Sequence, residues 1–185
     1  MSEPAPTAER LVDVAQDLVQ TRGYNGFSYA DLSTAVGIRK ASVHHHFPAK
    51  GDLGREVAAR YRRTFADTLA AIERATPAPR ARLDRYVELY AAALSERGRM
   101  CLCGMLAAEY DTLPEPVQDE VRGFFDDQRA WLTRVLGAEE RSPVRARRVA
   151  DALLAGLEGA LLVSRADADT ARFRATARVL LDALA

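Results

Sequence analysis

The 185-residue chain predicts an all-α protein of about nine helices, and three observations carry that prediction. Apolar residues recur at three- and four-residue steps, strict apolar/polar alternation is absent, and Pro or Gly separates the periodic segments. Composition sets the outer limits. Hydrophobic residues make up 48%, and 26 Lys plus Arg balance 26 Asp plus Glu, a globular rather than a disordered or collagen-like profile. The longest uninterrupted apolar stretch, Met100 to Ala108, is about half of the ~20 residues a membrane span needs. The start, MSEPAPTAER, lacks a basic region followed by an apolar block, and two cysteines cannot build a disulfide framework. The reading is a reduced, cytoplasmic protein with no membrane partner.

In chain order, residues 7 to 22 place Leu11, Val14, Ala15, Leu18 and Val19 on one helical stripe that stops at Gly23. Ser28 followed by Asp31 resembles a capping box and opens a short helix to about Val36, which Gly37 ends. A second short helix runs from about Arg39 to Phe47, where Pro48 forbids continuation. A long helix over 50 to 75 is broken by Pro77 and Pro79, and amphipathic segments follow at 80–96, 99–110, 114–136, 143–165 and 168–184. Pro114, Pro116 and Pro143 sit at helix starts, where the missing N–H costs little. The expected division is a first domain over 1–49 and a second over 50–185.

Two short helices cannot bury a core alone, so residues 28 to 47 must lean on the first and fourth helices. A helix-turn-helix whose second helix is basic and small fits a DNA major groove, and Ala41 and Ser42 let the backbone approach. The charge pattern agrees. Between Arg39 and Arg63 lie seven basic and two acidic residues, a local balance of +5 in a chain of zero net charge, and both lysines of the chain, Lys40 and Lys50, fall there.

The stretch GYNGFSYADLSTAVGIRKASVHHHFPAKGDL resembles the DNA-binding block of TetR-family transcriptional repressors. The resemblance covers about residues 8 to 60. Gly23, Phe27, Ser28, Ser33, Gly37, Phe47 and Lys50 occupy the family's places; the departure is His44, His45 and His46, where members usually carry Tyr-Tyr-His. The resemblance implies Arg39, Lys40, Ala41 and Ser42 at base edges or adjoining sugar-phosphate, with Lys50, Ser28 and Tyr29 at phosphates. His44 and His45 are expected to face DNA and His46 to pack beside Phe47. Three consecutive helical histidines point about 100° apart, so no metal site is expected, and no cofactor. Arg60, Arg62 and Arg63 are expected in surface pairs or beyond the duplex.

In the family the later helices bind a small effector and dimerise. The run LLAGLEGALLV, with Leu153, Gly156, Leu157, Ala160 and Leu161, is expected with Phe173, Ala177, Leu180, Leu181 and Leu184 to form a four-helix interface across a two-fold axis; ordinary core packing competes with that reading. Such a homodimer would read a palindromic operator in double-stranded DNA. An effector cavity is expected from Met100, Cys103, Met105, Leu106, Tyr110, Phe124, Gln128 and Trp131, because Met adapts to shape and Tyr, Gln and Trp supply polar handles. Cys101 and Cys103, near Arg97 and Arg99, are candidate redox or electrophile sensors, with small buried hydrophobes as the competing reading. No Gly-rich phosphate loop, nucleophile elbow or His-Glu-x-x-His is present, so an enzyme is not expected. The expected function is a ligand-responsive repressor, with a helical adaptor that has lost operator binding as the alternative.

Overall fold

The computed structural model describes residues 6–95, 98–138 and 142–184; Arg97 lies outside them. Among the described residues there are nine α-helices and no strand. They are α1 (Thr7–Arg22), α2 (Tyr29–Val36), α3 (Lys40–His46), α4 (Lys50–Ala75), α5 (Pro79–Ser95), α6 (Leu102–Ala108), α7 (Glu115–Gly137), α8 (Pro143–Ala166) and α9 (Thr170–Leu184). The segment expected as one helix over 99–110 is shorter, because α6 ends at Ala108 and a 3-10 turn, Tyr110–Thr112, follows. No described helix is long and apolar enough to cross a membrane.

The chain forms two compact units that interleave in sequence. The first comprises Met1–Arg62 with Leu102–Arg122, the second Arg63–Cys101 with Gly123–Ala185. The single cut expected after residue 49 is thereby corrected: α4 and α7 each belong partly to both units, and α6 joins the first. A long amphipathic helix carries no sequence mark of where its packing partners change.

In the first unit α1 packs on α2 and α6 and buries Leu11, Ala15 and Val19, while the helix-turn-helix buries Leu32, Val36 and Val43. The Ser28 hydroxyl accepts the Asp31 N–H at 3.3 Å and Asp31 Oδ2 accepts the Ser28 N–H at 2.7 Å, the reciprocal capping box that starts α2. The Ser28 hydroxyl, and then its N–H, donate to the Asp31 carboxylate and hold it below the ordinary carboxylate value. Gly37 stops α2 at φ +75°, a left-handed backbone that favours glycine, with its N–H on the Ser33 carbonyl at 2.9 Å.

In the second unit α8 packs along α9. A Cβ added at Gly156 would stand 2.9 Å from Leu180 Cδ1, so the glycine is what lets the two helices approach. This corrects the expected dimer interface. Leu153, Leu157, Leu161, Phe173, Ala177 and Leu181 are all buried within one chain, and Ala160 is nearly so. They form the face that α8 and α9 turn to their own core, where complete burial of a Phe or Leu is worth about 2–3 kcal/mol. The outward faces carry Ala152, Ala155, Gly159, Leu162 and Val163 on α8 and Val179 on α9. Leu162, Val163 and Val179 are 60%, 58% and 67% exposed, unusual for residues of their size.

Candidate functional site

Helix α3 is held from beneath by Val43, which is fully buried, and turns Lys40, Ala41, His44 and His45 to solvent with Ser42 half-buried. Arg39, its N-cap residue, is exposed as well. A seven-residue helix with short side chains at its centre and cations at its start is the shape that enters a major groove. His46 does not pack inward as expected: it is exposed, and its ring meets that of His45 edge-on at 5.4 Å. The inward position is taken by Val43, three residues earlier on the same face. His44 leans on Tyr29, with ring centroids 4.8 Å apart.

Two of the expected phosphate contacts point elsewhere. The Lys50 ammonium donates to the carbonyls of Tyr24 at 2.6 Å and Phe27 at 2.5 Å and lies 4.7 and 4.3 Å from the centroids of their rings. It closes the turn between α1 and α2 from inside, and burial pushes its pKa down. Tyr29 is buried, its hydroxyl donates to the Phe47 carbonyl at 2.9 Å, and burial followed by the Asp52 charge pushes the phenol up to about 12. Tyr29 ties the end of α3 and Lys50 the turn before α2, so both groups are already engaged within the protein. Ser28 is exposed, yet its hydroxyl is spent on the capping box, donating to Asp31 Oδ2 at 2.6 Å. Arg60 pairs with Asp13 at 2.6 Å and Arg62 with Glu120 at 3.5 Å, surface pairs as expected.

Glu109, which sequence reasoning missed, grips the same turn from the other side. Its Oε2 accepts the Tyr24 N–H at 2.5 Å and its Oε1 the Asn25 N–H at 3.1 Å. Nothing local marks it, since its partners lie 84 and 85 residues away.

In the second unit the expected effector residues Phe124, Gln128 and Trp131 line one buried face of α7, and Met100 is buried too. They meet residues that were not anticipated. Trp131 stacks on Tyr86 at 5.4 Å, Phe65 meets Tyr86, Tyr90 and Phe124 edge-on, and the Tyr86 and Tyr90 hydroxyls are hydrogen-bonded at 3.1 Å. The Glu158 carboxyl stands beside Tyr90 and Cys101, and desolvation pushes it up to about 7 against the lowering influence of those two neighbours. Three buried polar atoms here have no protein partner: Gln128 Oε1, Trp131 Nε1 and Glu158 Oε1. Buried polar groups are nearly always paired, and among the described residues these three are not. Glu158 did have a signal in the sequence, as the one charged residue of LLAGLEGALLV.

The other four expected effector residues, Cys103, Met105, Leu106 and Tyr110, belong to the first unit. Cys103 and Leu106 fill its core, and Tyr110 holds Arg122 through its hydroxyl. The two thiols are not in a disulfide and are buried, at 2% for Cys101 and 0% for Cys103. Reactive thiols sit partly exposed in electropositive surroundings, whereas Cys101 faces a carboxyl. The sensor reading of both cysteines is corrected on that ground. Among the described residues no group of His, Cys, Asp or Glu is arranged to hold a metal ion.

A basic, small-residue recognition helix on a three-helix support, followed by an α-helical unit with a buried polar site, defines a DNA-binding regulator with a ligand-sensing part. A profile described as bacterial regulatory proteins, tetR family, matches residues 11–57, and one for the C-terminal domain of LmrA/YxaF-like transcriptional regulators matches 79–179. The chain belongs to the TetR family, and is a ligand-responsive transcriptional regulator rather than an enzyme. It is 27% identical over 166 residues to the HTH-type transcriptional repressor DhaR of Mycobacterium sp. strain GP1, covering 85% of this chain and 81% of that one. A TetR-family regulator of Agrobacterium tumefaciens is 35% identical with a TM-score of 0.90, covering 96% and 97% of the two chains. A TetR regulator of Legionella pneumophila superposes at a TM-score of 0.93 with 28% identity over the whole of both.

Proposed function

We propose that this regulator is a homodimeric repressor that binds a palindromic operator and releases it when a small molecule enters the second unit. The observation that carries the reading is α3: a short helix anchored by Val43 that offers Arg39, Lys40, Ala41, Ser42, His44 and His45 outward. Lys40 and Arg39 suit guanine or phosphate, Ala41 a thymine methyl, and the two imidazoles a range of donors and acceptors. The exposed apolar stripe of α8 and α9, centred on Leu162, Val163 and Val179, supports a two-fold four-helix interface. Two α3 helices about one DNA turn apart would then read half-sites in a palindrome, and pairing multiplies the phosphate contacts. Repression follows DhaR, a repressor by name. A repressor acting on operator DNA works in the cytoplasm, and that is the location this reading implies.

The test is fluorescence anisotropy of the purified protein on the DNA flanking its own coding region, with sedimentation to count protomers. Salt-sensitive nanomolar binding of one dimer to a symmetric footprint supports the reading. A protein that dimerises but binds no DNA in that region is an adaptor instead.

A further inference from the structure

The buried cluster of the second unit has a chemistry specific enough to name its ligand. We propose that it binds an organic cation, a protonated primary or secondary amine carried on a compact aromatic or apolar frame, with Glu158 as counter-ion and Gln128 as second acceptor. The proposal rests on the reading of the second unit as the effector-binding part and adds the class of effector.

Three features argue for it. Two of the three unpartnered atoms, Glu158 Oε1 and Gln128 Oε1, are acceptors, and an ammonium with two or more N–H groups carries enough donors for both. An alcohol brings one donor and leaves one acceptor orphaned, which a desolvated site penalises. Among the described residues, the groups acting on the Glu158 carboxyl are Tyr90 and Cys101, neither of them a cation. An anionic ligand would meet that carboxyl unfavourably. The aromatic rings of the cluster are Tyr86, Tyr90, Trp131, Phe65 and Phe124, and aromatic faces attract ammonium groups most strongly where water is excluded. The Trp131 N–H remains to donate to an oxygen on the ligand frame.

Trp131 is the single tryptophan of the chain, so its fluorescence reports this site alone. The experiment titrates the full-length protein at pH 7.5 with benzylamine, 2-phenylethylamine and 3-phenylpropylamine, and in parallel with the matching alcohols, following Trp131 emission and thermal melting. At least one amine is expected to change the emission saturably and to raise Tm by about 3–6 °C at 1 mM, its alcohol by much less. Glu158→Gln, which keeps the shape and removes the charge, is expected to lower amine affinity at least about 10-fold. Gln128→Leu is expected to weaken the amine with Glu158 intact, which keeps the test open if one variant folds poorly. Alcohols that bind as well as amines, amine binding unchanged in Glu158→Gln, or no amine bound at all would each overturn the proposal. Operator binding by the ligand-free protein, measured separately, is untouched by those outcomes; its absence would instead remove the repressor reading.

Discussion

The Lys50 ammonium donates to the Phe27 carbonyl at 2.5 Å while lying 4.3 Å from the centroid of the Phe27 ring. With the bond to Tyr24 it closes the turn that leads into the helix-turn-helix, at the start of the helix that runs on into the second unit. A residue that sequence resemblance assigns to phosphate is thus a structural tie.

Lys50→Met is expected to lower the unfolding free energy by about 2 kcal/mol, since two charge-assisted hydrogen bonds are lost and the two carbonyls remain. The slope of log affinity against log salt should stay that of the wild type. Urea denaturation and anisotropy at several salt concentrations measure both, and a slope shallower by about 0.9 would return Lys50 to the phosphates.

Lys40→Ala and Ser42→Ala test the opposite role. Neither residue supports the core, so stability should change by no more than about 0.5 kcal/mol. Lys40→Ala should weaken operator binding and lower the salt slope, whereas Ser42→Ala should re-rank operator variants by about 1 kcal/mol at one position of each half-site. Binding to a set of singly substituted operators distinguishes the two patterns.

Glu109→Ala leaves the N–H groups of Tyr24 and Asn25 without their carboxylate. The expected cost is about 1.5–3 kcal/mol. Hydrogen exchange of those amides should accelerate relative to the body of α1; unchanged protection would mean the carboxylate does not hold the turn.

Leu162→Glu removes an apolar group from the face of α8 that is 60% exposed in the single chain. The protomer should fold with near wild-type stability, yet sediment as a monomer and lose operator affinity by about 100-fold. A dimer that survives this change places the interface elsewhere.

Glu158 gives a pH dependence with a definite sign. Its folded carboxyl is raised to about 7 from 4.5, so the native state holds the proton more tightly than the unfolded chain does. The associated stabilisation is complete below about pH 4.5 and is lost as pH rises through about 7, a difference of about 3 kcal/mol. Melting curves of wild type and Glu158→Gln from pH 5 to 8.5 should therefore diverge with rising pH, the variant being the more stable at pH 8. Parallel curves would show that the carboxyl is not desolvated.

Periodicity, capping and breakers sufficed for the helices, because each depends on residues within one or two turns. The Ser28 and Asp31 box, the Gly37 stop and the Pro48 break are complete in the sequence and appear as read. Apart from His46, the exposed residues of α3 were legible for the same reason: a seven-residue helix with one fully buried residue has little freedom in which side it shows. What periodicity cannot do is say which side of a helix meets which neighbour. The run 153–163 is apolar on both sides, so the choice between core and partner chain falls to the approach of α9 at Gly156. That contact turned the expected interface residues inward and left Leu162 and Val163 outside.

The amino-acid sequence by itself determined the helical class, the order and most ends of the helices, the recognition helix and the family, all of which rest on local backbone preference or a contiguous motif. Only the tertiary structure decided that Lys50 ties a turn, that Glu109 reaches across 85 residues to the Tyr24 amide, and that buried polar atoms of Glu158, Gln128 and Trp131 are left without partners among the described residues. Those are long-range matters, because desolvation and hydrogen-bond satisfaction depend on which distant segments are brought together, and no spacing along the chain records that.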